Sequence, residues 1–136
     1  MMEKTMYAAN RFGASAYANV QMETGVNTAD PHHLIQMLYD GAIDSLHHAV
    51  GHIQTGNIEA KGQAISKAIR IIDEGLKASL DTRAGGELAS NLFELYDYMC
   101  RRILKASIGN EIAGLNEVVT LLDGLRTAWT SIKGKV

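Results

Sequence analysis

Proline occurs once in the 136 residues, at Pro31, and this constrains the fold more than any other feature. A proline inside a helix removes a backbone donor and clashes with the preceding turn. A chain with almost none, and with little Val or Thr outside residues 20–28, is free to be helical nearly throughout. Pro31 itself sits where it does no harm. Asp30 before it can cap free amide groups, and the first helical position has no N–H bond for proline to lose.

From that start, apolar residues recur at three- and four-residue steps in four blocks. Leu34, Ile35, Leu38, Tyr39, Ala42, Ile43, Leu46, Ala49, Val50 and Ile53 fill an arc of roughly 180° at 100° per residue. This predicts a helix over about 30–55, ended by Gly56 in a left-handed turn. Asn57 can cap a second helix, about 57–80, striped by Ile58, Ile65, Ala68, Ile69, Ile72, Leu76 and Leu80. Asp81–Gly86 reads as a loop broken by Gly85-Gly86. A third helix, about 87–107, carries Leu88, Leu92, Leu95, Met99 and Ile103, with Ala89, Tyr96, Cys100 and Leu104 on the same side. The break falls at Ile108-Gly109-Asn110. The fourth, about 111–133, has the cleanest stripe: Ile112, Leu115, Val118, Val119, Leu122, Leu125, Trp129 and Ile132. Helices of about 20–24 residues are near 30–36 Å long. Loops this short force neighbours to run antiparallel, so residues 30–136 are expected to form an all-α, up-down-up-down four-helix bundle.

Residues 1–29 differ. Tyr7, Phe12, Tyr17, Val20, Met22 and Val26 are irregularly spaced among Asn, Ser, Gly and Thr. The expectation is a mobile N-terminal arm, with room for a short helix near Ala14–Gln21, that packs part of the time on the bundle. A frayed terminus would carry fewer bulky apolar residues.

Function classes can be excluded in turn. With 13 basic and 15 acidic residues the formal charge is −2, which gives no argument for nucleic acid or an anionic membrane surface. No apolar run approaches the roughly 20 residues of a membrane span, so membrane insertion is not expected. No h-region follows Lys4 and Arg11, and the lone Cys100 suits a reducing compartment; the expected location is cytoplasmic. His48 and His52 lie one turn apart with Asp44 one turn before, but no Glu-x-x-His occurs, and opposite-helix ligands are not evident. Neither a metal nor another cofactor is expected. Cys100, on an apolar face, reads as a buried inert thiol. Arg101-Arg102 and Lys105 read as a solvated helix face. No nucleophile–base–orienter set is visible, so no catalytic residue is assigned and the protein is read as no enzyme.

A helix that only faces a core needs a stripe a little over 100° wide. Stripes of roughly 180–200° either make a well-packed bundle or leave apolar rows that something must cover. The arm could cover one row, and a long amphipathic partner peptide another. Tyr98 falls off its helix's apolar arc, beside Asn91, Glu94 and Arg102, which suits a contact residue.

Several strings then carry a resemblance. Thr28-Ala29-Asp30-Pro31, with Leu34-Ile35 and Met37-Leu38-Tyr39-Asp40-Gly41-Ala42, resembles the "TASPxxLIxMLYDGA" opening of the flagellin-specific export chaperones. Ser66-Lys67-Ala68 with Ile71-Ile72 resembles their "SKAxxII" segment. Ser79-Leu80-Asp81, Gly85-Gly86-Glu87-Leu88-Ala89 and Asn91-Leu92 resemble "SLDxxxGGEIAxNL". Leu95-Tyr96-Asp97-Tyr98-Met99 with Arg101-Arg102 resembles "LYDYMxRR", and Ala128-Trp129 their closing "AW". The strings fall in order over about residues 17–132. Asp30 replaces the family's usual Ser and caps as well. Ser107-Ile108-Gly109-Asn110 replaces the usual "AN…ND" turn, and the arm ahead of Tyr17-Ala18-Asn19-Val20 is longer than expected.

The resemblance implies an antiparallel helical bundle that binds the C-terminal segment of flagellin in the cytosol without ATP. It would block premature polymerisation and present flagellin to the type III export apparatus at its membrane export gate. The expected partner-binding positions are Tyr17, Val20, Leu34, Leu38, Tyr39, Ile65, Ile72, Leu92, Tyr96, Tyr98 and Met99. Competing readings are a bundle adaptor or regulator that binds another amphipathic segment, such as an anti-sigma factor, and a small metalloenzyme or metal carrier using His47, His48 and His52.

Overall fold

The structure is a computed structural model that describes residues 30–132; Tyr17, Val20, the expected arm and its short helix lie outside the described residues. Helix α1 spans Pro31–Thr55. Helix α2 spans Ile58–Arg70 and runs straight into a π-helical segment, Ile71–Lys77. Helices α3, Gly86–Gly109, and α4, Ile112–Ser131, complete an antiparallel bundle.

The helix ends follow their capping chemistry. Asp30 Oδ1 accepts from the His32 amide at 3.1 Å, and Asn57 Oδ1 from the Ala60 amide at 3.1 Å. Gly56, at φ 74°, turns the chain out of α1, and its N–H reaches the His52 and Ile53 carbonyls. Asn110 does the same for α3 at φ 51°. The helix therefore runs to Gly109, past the expected break at Ile108. Asparagine tolerates the left-handed region, and Lys61 Nζ secures the turn through the Ser107 carbonyl at 3.0 Å and Asn110 Oδ1 at 2.8 Å. In the α2–α3 loop, Asp81 Oδ1 accepts from the Arg83 and Ala84 amides at 3.1 and 3.0 Å.

α1 packs against α2 and α4, and α3 closes the ring against α4 and the π-helical segment. Leu38, Leu46, Ile72, Met99, Ile103, Leu115 and Leu122 fill the interior. Gly75 lets the π-helical backbone come close to α1, since a Cβ there would lie 2.5 Å from Leu38 Cδ2. Across the bundle, the Tyr39 and Tyr96 hydroxyls meet at 2.6 Å and join α1 to α3.

Several of the expected contact positions lie inside the bundle. Leu34, Leu38, Ile65, Ile72 and Met99 are core residues, each at most 5% exposed. Their arcs point at the bundle axis.

Candidate functional site

At the end of the bundle where α1 begins, the four helices do not close on one another. Ile35 from α1, Leu76 from the π-helical segment, Leu80 just after it, Leu92 from α3 and Trp129 from α4 line an open furrow of about 470 Å³. Tyr39 and Tyr96 also line it, with Asp30, Pro31, His32 and Ser79 at its polar margin. The fold thus brings together Tyr39, Leu92 and Tyr96 from the expected set, and adds Ile35, Leu76, Leu80, His32 and Trp129.

One wall is a clamp between the start of α1 and the end of α4. The rings of His32 and Trp129 stack at 4.6 Å. Trp129 Nε1–H donates to the His32 carbonyl at 2.8 Å, and His32 Nε2–H donates to the Trp129 carbonyl at 2.8 Å. Further along, the Arg126 guanidinium bonds Asp40 at 2.8 Å and ties the same two helices.

A second recess of about 500 Å³ adjoins the furrow through Leu80 and is lined by Asp73, Glu74, Lys77, Ala78, Thr82 and Phe93. Lys77 organises it. Its ammonium bonds Asp73 at 2.7 Å and Asp97 at 3.0 Å, and stands 4.9 Å from the centre of the Phe93 ring. The Asp73 and Asp97 carboxylates push the Lys77 amine up, and Lys77 pulls the Asp97 carboxyl down.

Large apolar side chains also stand free on the surface. Leu88 and Phe93 lie on the first two turns of α3, near the furrow. Ile58 and Ile108, 77% and 79% exposed, and Leu104 lie at the opposite end. The Lys61 bonds to Ser107 and Asn110 bring the start of α2 beside the end of α3 there.

Tyr98 is 37% exposed, on the face expected for it. Its hydroxyl donates to Glu117, which also accepts from Arg102 Nε at 3.0 Å. The Tyr98 bond, then the Arg102 pair, hold the Glu117 carboxyl below its usual range, and the bond to Glu117 pushes the Tyr98 phenol up. Tyr98 therefore serves the α3–α4 contact.

His47 and His48 are exposed and His52 half-buried on α1. Among the described residues no three His, Cys, Asp or Glu side chains converge as metal ligands. Cys100 is half-buried, and burial pushes its thiol up to about 11. Among the described residues no helix is long and apolar enough to cross a membrane.

Ile35, Leu76, Leu80 and Trp129 were legible as stripe residues but not as site residues. Their helical positions resemble those of core neighbours, and only the open end of the bundle separates the two groups.

The family described as "Flagellar protein FliS" matches residues 13–136. A "Flagellar secretion chaperone FliS" of Salmonella typhimurium is 50% identical over 130 residues, 96% of this chain and 95% of the relative. One of Escherichia coli with the same name is 41% identical over 124 residues, 91% and 90% of the two chains. A "Flagellar secretion chaperone FliSB" of Pseudomonas aeruginosa is 42% identical over 116 residues, 85% and 91%. A match over nearly the whole bundle, with relatives covered almost end to end, places this chain in the FliS family of flagellar proteins.

Proposed function

We propose that this protein is a cytosolic, non-enzymatic export chaperone that holds the C-terminal segment of newly made flagellin. It keeps that segment from polymerising and delivers it to the flagellar type III export apparatus at its membrane gate. The observation that carries the reading is the furrow: a bundle with a closed core still holds open an apolar recess to which α1, the π-helical segment, α3 and α4 contribute. The relatives' shared name, flagellar secretion chaperone, supports the export role.

An unfolded amphipathic segment suits such a surface. It lays apolar side chains into a groove and orders only on binding. The ordering cost keeps the complex releasable, which a carrier needs. Leu92 contacts the segment directly in this reading, Tyr39 and Tyr96, buried at 5% and 2% exposure, form the base of the furrow, and Leu34, Leu38, Ile65, Ile72 and Met99 pack beneath. In this reading the arm around Tyr17 and Val20, outside the described residues, competes with flagellin for a groove or helps dock the export gate. Deleting residues 1–16 and substituting Tyr17 should then alter affinity or export; no change in either removes the arm from the account.

The direct test is calorimetry with the last forty or so residues of flagellin, a length that can run along helices of this size. Trp129, the single tryptophan and part of the furrow wall, should report occupancy by fluorescence. Binding of the flagellin segment that Leu92→Asp weakens at least tenfold is expected, since a charge would be buried without a partner. Neither heat nor fluorescence change with flagellin, alongside binding of an anti-sigma-factor segment, would replace this reading with the adaptor.

A further inference from the structure

The furrow wall carried by α3 is lightly held. From Gly86 to Leu95 only Ala89 is buried; Leu92 and Leu95 are half-buried and the rest are exposed. A stretch with so few buried contacts has little core packing to fix its distance from the opposite wall. Leu92 lies in that stretch, and Leu76 and Leu80 line the furrow from the other side. The next residue along from each furrow residue has a different task. Leu76 is followed by Lys77, Leu92 by Phe93 and Tyr96 by Asp97. The Lys77 ammonium reaches from the π-helical segment to α3, where it bonds Asp97 at 3.0 Å and stands 4.9 Å from the centre of the Phe93 ring. Its bond to Asp73 at 2.7 Å, one turn back on its own segment, aims the ammonium. Asp97 also meets Arg101 at 3.5 Å, a contact that stays on α3. The two walls are thus tied one residue behind their apolar faces.

We infer that Lys77 is a positioning residue for partner binding: its bond to Asp97 holds the Leu92 stretch of α3 at the spacing from Leu76 and Leu80 that the bound segment needs. Lys77 does this without touching the segment. The inference rests on the flagellin C-terminal segment being the occupant of the furrow. A site held ready binds more tightly than one that must be assembled, because affinity scales with the fraction of molecules in the competent arrangement. A partly exposed ion pair biases such a fraction by about fivefold at most, which sets the size of the effect. The bond to Asp73 joins two residues of one wall, so it contributes to stability and not to the spacing.

The test uses the full chain and the C-terminal flagellin peptide, with Kd from calorimetry and Tm measured beside it. Lys77→Met keeps the stem and removes the charge, Asp97→Ala removes the acceptor on the far wall, and Asp73→Ala removes the acceptor on the near wall. Lys77→Met and Asp97→Ala should each weaken binding about fivefold. The double variant should bind no more weakly than either single, because both remove the same tie. Lys77→Arg, which keeps a charge able to reach Asp97, should retain the parent Kd. Asp73→Ala should lower Tm about as much as Asp97→Ala and leave Kd within about twofold of the parent. Should Lys77→Met not fold, the comparison of Asp97→Ala with Asp73→Ala decides alone. Additive losses in the double would mean that Lys77 and Asp97 each touch the bound segment, and would overturn the inference. An unchanged Kd in Asp97→Ala would overturn it, since core packing would then set the spacing unaided. Equal losses of affinity in Asp73→Ala and Asp97→Ala that follow Tm would also overturn it, by showing general loosening. If the parent protein does not bind the peptide, the chaperone reading falls first and takes this inference with it. If the parent binds and the variants bind as it does, the chaperone reading stands and this inference falls.

Discussion

Single positions show where close packing outweighs intrinsic preference. Replacing a helical glycine by alanine gains up to about 1 kcal/mol of helix propensity. At Gly51 a Cβ would meet nothing within 4 Å, so Gly51→Ala should gain most of that in urea unfolding. At Gly75 the new Cβ would sit 2.5 Å from Leu38 Cδ2, whose side chain is held in the core at 2% exposure. Overpacking costs about 1–3 kcal/mol and wins, so Gly75→Ala should lower stability by about 1 kcal/mol. Glu117 carries a pH dependence of known sign. Its folded carboxyl is held down by Tyr98 and Arg102, so its contribution is present above the unfolded range of about 4.3 and is lost as pH falls through the lower folded value. Glu117→Gln should lower the urea midpoint at pH 7, and the gap from the parent should narrow as the pH falls below the unfolded range of about 4.3. A gap that persists there would mean the loss is one of shape and not of charge.

Among the elements, the start of α1 is where local chemistry and the furrow meet. Asp30 caps the helix and also lines the furrow margin. Asp30→Ala should cost about 1 kcal/mol in thermal or urea unfolding. Asp30→Ser should restore most of it, because serine caps comparably. The ends at Asp30-Pro31 and Gly56-Asn57 are legible in the sequence, since capping depends on residues next to one another. The π-helical segment Ile71–Lys77 is not. Whether a turn closes four or five residues back depends on what it packs against, here α1 across Gly75 and α3 through the Lys77–Asp97 pair. The expected α-helix to Leu80 therefore changes type at Ile71.

For the molecule as a whole, a ligand that binds only the folded state stabilises it by mass action. At a hundredfold excess over Kd the flagellin segment should add about 2.7 kcal/mol, seen as a Tm that climbs with peptide concentration. Trp129 fluorescence and helical circular dichroism should report a single coincident transition, because the His32–Trp129 clamp ties the end of α4 to the start of α1. Two separate transitions would mean that α4 leaves the bundle independently. Among the described residues, large exposed aliphatic side chains stand both by the furrow and around Ile58, Leu104 and Ile108 at the far end.

By itself the sequence determined the helical class, the four stripes, the capped ends and the antiparallel order, and its motifs pointed to the flagellar family. Each of these depends on neighbours along the chain or on three- and four-residue spacing. Only the tertiary structure decided which stripe residues are floor and which are furrow. Leu38 and Leu92 lie on equally apolar arcs, yet one is sealed while the other borders open space. The physical reason is that a stripe specifies a direction from the helix axis, whereas exposure depends on how far the facing helices extend. At the open end of this bundle no facing helix covers the arc.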